Sequence, residues 1–132
     1  MQTVKQILSR RYPAVTWTII IFILLALPGS MLPSEGNFEI PDFDKYVHIG
    51  IFGLFVMLWS LYYGTRPDFK NKHIFFFIFI IACLYGTAME FVQKYFIPFR
   101  DFDLYDILAD VIGACLGYLL VLLTISWWRK MK

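Results

Sequence analysis

The chain has 132 residues, 59% of them hydrophobic and 20% aromatic, with a mean hydropathy of +0.63. Soluble domains are roughly 45–50% apolar, so the composition describes one polytopic membrane domain, and the length leaves no room for a second. The formal net charge of +2 is too small for a nucleic-acid surface, and the basic residues lie beside apolar runs, where membrane topology accounts for them.

Four apolar runs follow one another, over about residues 14–32, 46–63, 74–96 and 104–128. Each is near the roughly 20 residues that a helix needs to cross the hydrocarbon core. Lipid-exposed backbone must satisfy its own hydrogen bonds, so helices are the expected form. The reading is an all-α integral membrane four-helix bundle, a single multi-pass domain of the cell membrane over residues 1–132. The first run exceeds the 7–15 residues of a signal-peptide core and is read as a retained span. Pro28 and Gly29 predict a kink or an early helix end within it. No internal repeat interrupts the series, and the Pro-, Gly- and acid-rich stretch 33–43 reads as an irregular excursion outside the membrane.

Lys and Arg mark the inner side of a membrane. They cluster in the first flank (Lys5, Arg10, Arg11), the middle loop (Arg66, Lys70, Lys72) and the tail (Arg129, Lys130, Lys132). The other two loops are poorer, with Lys45 in one and Lys94 and Arg100 in the other. Both termini are therefore expected to be cytoplasmic. Trp17, Trp59, Tyr62, Tyr63, Trp127 and Trp128 are expected to form an aromatic belt on that side, and the Phe-rich stretch 75–79 to face lipid. Cys83 and Cys115 lack metal-type spacing and read as apolar packing residues.

Polar residues concentrate at the opposite end. Asp44, Lys45 and His48 open the second span, and Glu90 and Gln93 close the third. Arg100 lies in the following loop. Asp103, Asp106 and Asp110 step by three and four down the fourth span, continued by Gly113 and Gly117. At about 1.5 Å per residue, His48, Glu90 and Asp106–Asp110 reach similar depths. Small residues in the stripes are expected to bring the third and fourth spans close together. Singly, each feature has a structural explanation: Asp44 as a helix-start acid, Asp103 or Asp101 as the cap of the fourth span with Asp106 in its first turn, His48 as a buried hydrogen-bonded histidine, Gly113 and Gly117 as packing. Jointly they predict an outward-facing polar pocket, because ionisable groups in spans are expensive.

Two stretches carry a family likeness: DKYVHIGIFGLF, with its Asp-Lys-x-x-His opening, and EFVQKYFIPFRDFDLYDILADVIGACLG, with Glu-x-x-Gln, an Arg, an Asp and Gly-x-x-x-Gly. In these the chain resembles the VanZ-like family, with Asp44, Lys45, His48, Glu90, Gln93, Arg100, Asp106, Gly113 and Gly117 on the matching positions. Two positions depart from the pattern: Asp110 stands where Asn is common, and Phe99 where Gly often precedes the Arg. The family takes its name from a teicoplanin-resistance protein of bacteria, so the resemblance implies a link to the cell envelope and to glycopeptide resistance.

Three functions compete. In the first, the pocket engages a lipid-linked or amphiphilic anionic envelope component, with Arg100 and Lys45 on its anionic groups and Asp44, His48, Glu90, Gln93, Asp106 and Asp110 lining the site. In the second, His48, Glu90 and Asp106 are catalytic, by acid–base chemistry or through a divalent metal held by His48, Glu90, Asp106 and Asp110 in a hydrolase or transferase. In the third, the cluster only locks the helices of an assembly subunit.

Overall fold

The computed structural model describes residues 6–7, 10–31, 41–66 and 69–130, the side chains of Trp128 and Arg129 excepted. Most of the stretch 33–43, together with Lys5 and Lys132, lies outside the described residues. The described part is all helical: α1 (Arg11–Leu25), a 3-10 turn at Gly29–Met31, α2 (Phe43–Gly64), α3 (His73–Phe96) and α4 (Leu104–Lys130).

Three of these helices are long and apolar enough to cross a membrane. At 1.5 Å per residue α2, α3 and α4 run about 33, 36 and 40 Å, against a hydrocarbon core of about 30 Å. The first run behaves differently from the other three. Its helix has 15 residues, about 22 Å, and stops before Pro28, whose ring and missing N–H oppose helix continuation. A 3-10 turn follows at Gly29–Met31. The Gly29 N–H donates to the Pro98 carbonyl at 3.1 Å, and a Cβ on Gly29 would strike the Phe99 carbonyl. The end of α1 is thus pinned to the α3–α4 loop.

The helices alternate in direction, and α2 is central, packing most extensively on α4 and also on α3 and α1. The core is built from Ile21 of α1, Phe52 and Val56 of α2, Phe75, Ile78 and Ala82 of α3, and Ala114 and Val121 of α4. Phe75 is fully buried and stacks on Phe69, so the 75–79 stretch divides: Phe76 and Phe77 face outward while Phe75 packs inside. A broad exposed apolar surface remains on α3 and α4, including Ile81, Leu84, Leu116 and Leu123. Soluble monomers rarely expose such a surface; a bilayer covers it.

Hydrogen bonds fasten α1 to the others. The Trp17 indole donates to the Ile51 carbonyl at 2.9 Å, which turns Trp17 into the bundle rather than out to a belt. The Trp59 indole donates to the Thr18 hydroxyl at 3.1 Å and the Tyr85 hydroxyl to the Thr18 carbonyl at 2.9 Å. Trp59, Tyr62 and Tyr63 do form one aromatic cluster toward the end of α2. Both cysteines are free, Cys83 half-buried and Cys115 on the outer surface.

Gly86 meets the fourth span as expected, but the small residues of α4 serve a different helix pair. Gly113 and Gly117 lie against the α2 backbone, where side chains there would meet the Ile49 and Gly53 carbonyls. Gly86 of α3 makes room for the Asp110 carboxylate instead. This α2–α4 contact sets the register of the polar cluster above it.

Candidate functional site

Asp44, Lys45 and His48 stand on the first two turns of α2. Asp103 precedes α4, with Asp106 and Asp110 on its first two turns, and Glu90 lies near the end of α3. Because the helices alternate, these positions share one end of the bundle. The acids of α2 and α4 sit at helix N-termini, where the helix dipole favours them. Glu90 is at the unfavourable end of α3 and needs another source of stabilisation.

The outer part of the cluster is organised by Lys45. Its ammonium meets Asp44 Oδ2 at 3.0 Å, Asp103 Oδ2 at 3.1 Å and Asp106 Oδ1 at 3.3 Å. Asp103 also caps α4, its Oδ1 accepting the Tyr105 N–H at 2.7 Å, as expected of an Asp at a helix start. Burial alone would raise the Asp103 carboxyl, but the Tyr105 N–H and the Lys45 ammonium outweigh it and hold the group below its ordinary value. The Asp103 N–H in turn donates to Glu90 Oε2 at 2.9 Å, which ties α3 to the α4 cap.

The inner part is drier. His48 is 4% exposed, Glu90 1%, Asp106 6% and Asp110 1%. His48 Nδ1 lies 2.8 Å from Asp110 Oδ1, and Nε2 lies 3.8 Å from Asp106 Oδ2. An ionised carboxylate only accepts, so with Asp110 ionised Nδ1 carries the proton and Nε2 presents its lone pair toward Asp106. Asp106 therefore spans both layers, one oxygen on Lys45 and the other toward His48. Ligand atoms of His48, Glu90 and Asp106 all fall within 4.8 Å of one another, as do those of Asp44, Asp103 and Asp106. Asp110 Oδ2 is buried with no hydrogen-bond partner and faces α3 at Gly86, one turn below Glu90.

Seven ionisable groups from three helices thus converge. Two residues of the expected set stand apart. Gln93 is buried, and its amide donates to the Leu25 carbonyl at 2.9 Å, closing the end of α1. Arg100 is half-buried in the α3–α4 loop, and among the described residues its side chain enters no ion pair. Asp103, an expected helix cap, is a full member of the cluster as well. The sequence signal for that was its place in the Asp103, Asp106, Asp110 stripe.

The loop carrying Arg100 is strained. Phe99 adopts φ 59° and is 84% exposed. An L-residue pays about 1–2 kcal/mol in that left-handed region, where Gly is at ease. This is the position at which the resemblance noted in the sequence leads to an expectation of glycine.

A protein of Schizosaccharomyces pombe, "Uncharacterized protein C11E3.10", is 31% identical over 103 residues, which are 78% of this chain and 61% of that protein's length. No solved structure matches the chain. The profile of the VanZ/LLP1 family matches residues 2–125, nearly the whole chain. The chain belongs to the VanZ/LLP1 family.

Proposed function

We propose that this VanZ/LLP1 membrane protein binds the polar head of an amphiphilic membrane or envelope component in the cluster at the α2–α4 N-termini. The observation that carries the reading is the burial of Glu90, Asp106 and Asp110 with a single histidine at one end of an apolar bundle. Buried ionic groups cost several kcal/mol each unless compensated, and folding needs no such group here. The α2–α4 contact is already made by glycines and the core by aromatic and aliphatic side chains. A ligand entering laterally keeps its chains against the apolar outer face and brings its head to the cluster. Lys45 is already shared by three carboxylates, whereas Arg100 of the α3–α4 loop enters no ion pair among the described residues, so this reading gives the anionic group to Arg100, whose guanidinium can hold it by two parallel hydrogen bonds.

The orientation completes the proposal. The basic flanks support an orientation with both termini and the α2–α3 loop in the cytoplasm, in which the cluster opens to the outer side. A relative in a yeast favours a head-group chemistry available in eukaryotic membranes too, such as a lipid phosphate, over a feature of bacterial wall precursors. A role in glycopeptide resistance would then follow from a change in envelope lipids.

The test is mass spectrometry of amphiphiles that co-purify with the full chain. The parent is expected to carry an anionic lipid, and Arg100→Ala to lose at least about tenfold of it, one bidentate contact, with unchanged thermal stability. A ligand-free parent, or an Arg100→Ala protein that retains the same load, refutes the reading. One observation favours a second reading. His48, held on Nδ1 by Asp110 with Nε2 toward the pocket, has the arrangement of a general base, as a hydrolase or transferase would need. Asp110→Asn would then abolish turnover while leaving the bound amphiphile in place.

A further inference from the structure

The charges of the cluster do not balance. Five carboxylates (Asp44, Glu90, Asp103, Asp106 and Asp110) face Lys45 and His48. Lys45 serves the outer three, and among the described residues no Lys or Arg forms an ion pair with Glu90 or Asp110. The inner layer is the more buried of the two and the less compensated. Asp110 Oδ2, 1% exposed as a residue and without a partner, marks the same deficit of positive charge. An anionic head group brought into this layer would meet acids on every side.

The geometry there suits an ion. Ligand atoms of one bound divalent cation, with bonds of about 2.0–2.2 Å, sit roughly 3–3.6 Å apart. Those of His48, Glu90 and Asp106 lie within 4.8 Å, so rotamer-scale movements of about 1 Å close the set. His48 has one nitrogen for the task. Asp110 occupies Nδ1, which leaves Nε2 on the side of Asp106. A carboxylate on the far nitrogen is how metal-binding histidines are oriented and made more basic. The outer acid triad is different, since its centre already belongs to the Lys45 ammonium.

We propose that His48 Nε2, Glu90 and Asp106 hold a divalent cation of the Mn–Zn class, with Asp110 as the positioning residue behind His48. One imidazole and two carboxylates suit those metals and leave at least one coordination position open. That position takes a phosphate oxygen of the amphiphile, and this last step alone rests on the ligand reading above. The cation turns an acidic pocket into one that accepts an anion, and Arg100 meets the remaining phosphate oxygens.

The experiment uses the full chain in nanodiscs, first stripped with chelator and then titrated with Mn²⁺ and Zn²⁺. Metal content is read by elemental analysis and the Mn²⁺ environment by electron paramagnetic resonance. About one ion per chain is expected. Its affinity should fall at least 100-fold in His48→Ala and Glu90→Gln, about 10–100-fold in Asp110→Asn, and stay within about twofold in Cys115→Ala on the outer surface. Glu90→Gln keeps the shape and the acceptor for the Asp103 N–H, so it reports on the ion even if His48→Ala unfolds. A parent that binds no ion at millimolar concentration overturns the proposal. So does an ion held as well by His48→Ala and Glu90→Gln as by the parent, since the exposed acids would then be the ligands. An ion bound as expected in a protein that never carries a lipid refutes the pocket reading while leaving the metal site standing.

Discussion

Replacing Gly113 by Ala tests whether the α2–α4 contact sets the geometry of the cluster. A Cβ there would lie 2.7 Å from Ile49 Cα, where ordinary contact begins at 3.4 Å. Backbone cannot rotate aside, so the helices must part by at least about 0.7 Å, the difference of those two distances, and by more to clear the Ile49 carbonyl oxygen, which the Cβ would strike first. Carried to the cluster one turn above, the same shift takes the His48–Asp110 bond from 2.8 Å to about 3.5 Å, too long for a hydrogen bond. Overpacking costs about 1–3 kcal/mol, and a buried pair left unsatisfied adds about 1–3 kcal/mol. A loss of about 2–6 kcal/mol follows, a large share of a typical stability of 5–15 kcal/mol. The assay is reversible unfolding in mixed micelles, with Gly50→Ala as the control. Nothing lies within 4 Å of a Cβ at Gly50, so alanine there should stabilise by about 0.5–1 kcal/mol through helix propensity. A Gly113→Ala protein within about 0.5 kcal/mol of the parent, the range of ordinary surface changes, would show that these backbones are not in contact.

Three further outcomes are expected. Phe99→Gly removes the strain at φ 59° and should raise stability by about 1 kcal/mol, read as a higher unfolding midpoint; an unchanged or lower midpoint means that the exposed ring contributes more than the backbone loses. Gln93→Leu leaves the Leu25 carbonyl without its side-chain donor and should cost about 1–3 kcal/mol, together with faster protease cleavage between α1 and α2; an unaltered cleavage rate argues against this clasp. Asp103 titrates below its ordinary value, so its stabilising effect is complete above the unfolded value of about 4 and is lost as pH falls through the folded one. The parent should therefore lose stability in that acid range, and Asp103→Asn should flatten the loss, modestly because the side chain is 38% exposed; parallel pH curves for the two proteins would exclude the effect.

Which parts of the fold could be read from the sequence follows from the strength of each local signal. The ends of α2, α3 and α4 are sharp because charged or turn-forming residues flank long apolar runs: Asp42 and Asp44, Lys72, and Asp103. The run over residues 14–32 misleads about length, since its composition stays apolar beyond Leu25 while Pro28 and Gly29 have already ended the helix. Composition sets what a bilayer tolerates, and proline chemistry sets what a helix tolerates. The two criteria part company in that run. Phe75 shows the other blind spot. Within a uniformly aromatic stretch every ring suits lipid equally, so only the arrival of Phe69 and Gly64 from the preceding helix and loop decides which ring turns inward.

The cluster was legible where helical spacing alone determines a face, and illegible where a choice between neighbouring helices was needed. The Asp103, Asp106, Asp110 stripe is a single-helix property, and the structure keeps it on one side. That Gly113 and Gly117 turn that side toward α2 rather than α3 is not encoded in their spacing, which is the same for either partner. It is decided by complementarity: α2 offers Gly53 opposite Gly117, so two backbones can meet, whereas α3 offers Gly86 at the height of Asp110 and receives a carboxylate. This assignment gives Asp106 its double role. Placed between α2 and α3, it gives one oxygen to Lys45 and the other to the space near His48 and Glu90. Replacing Asp106 by Asn would keep the size of the side chain and remove its charge from both Lys45 and the space beside His48. If the cluster were only a lock between helices, function in this variant would fall only in step with stability. If the inner layer holds a cation, the variant would fold yet bind none.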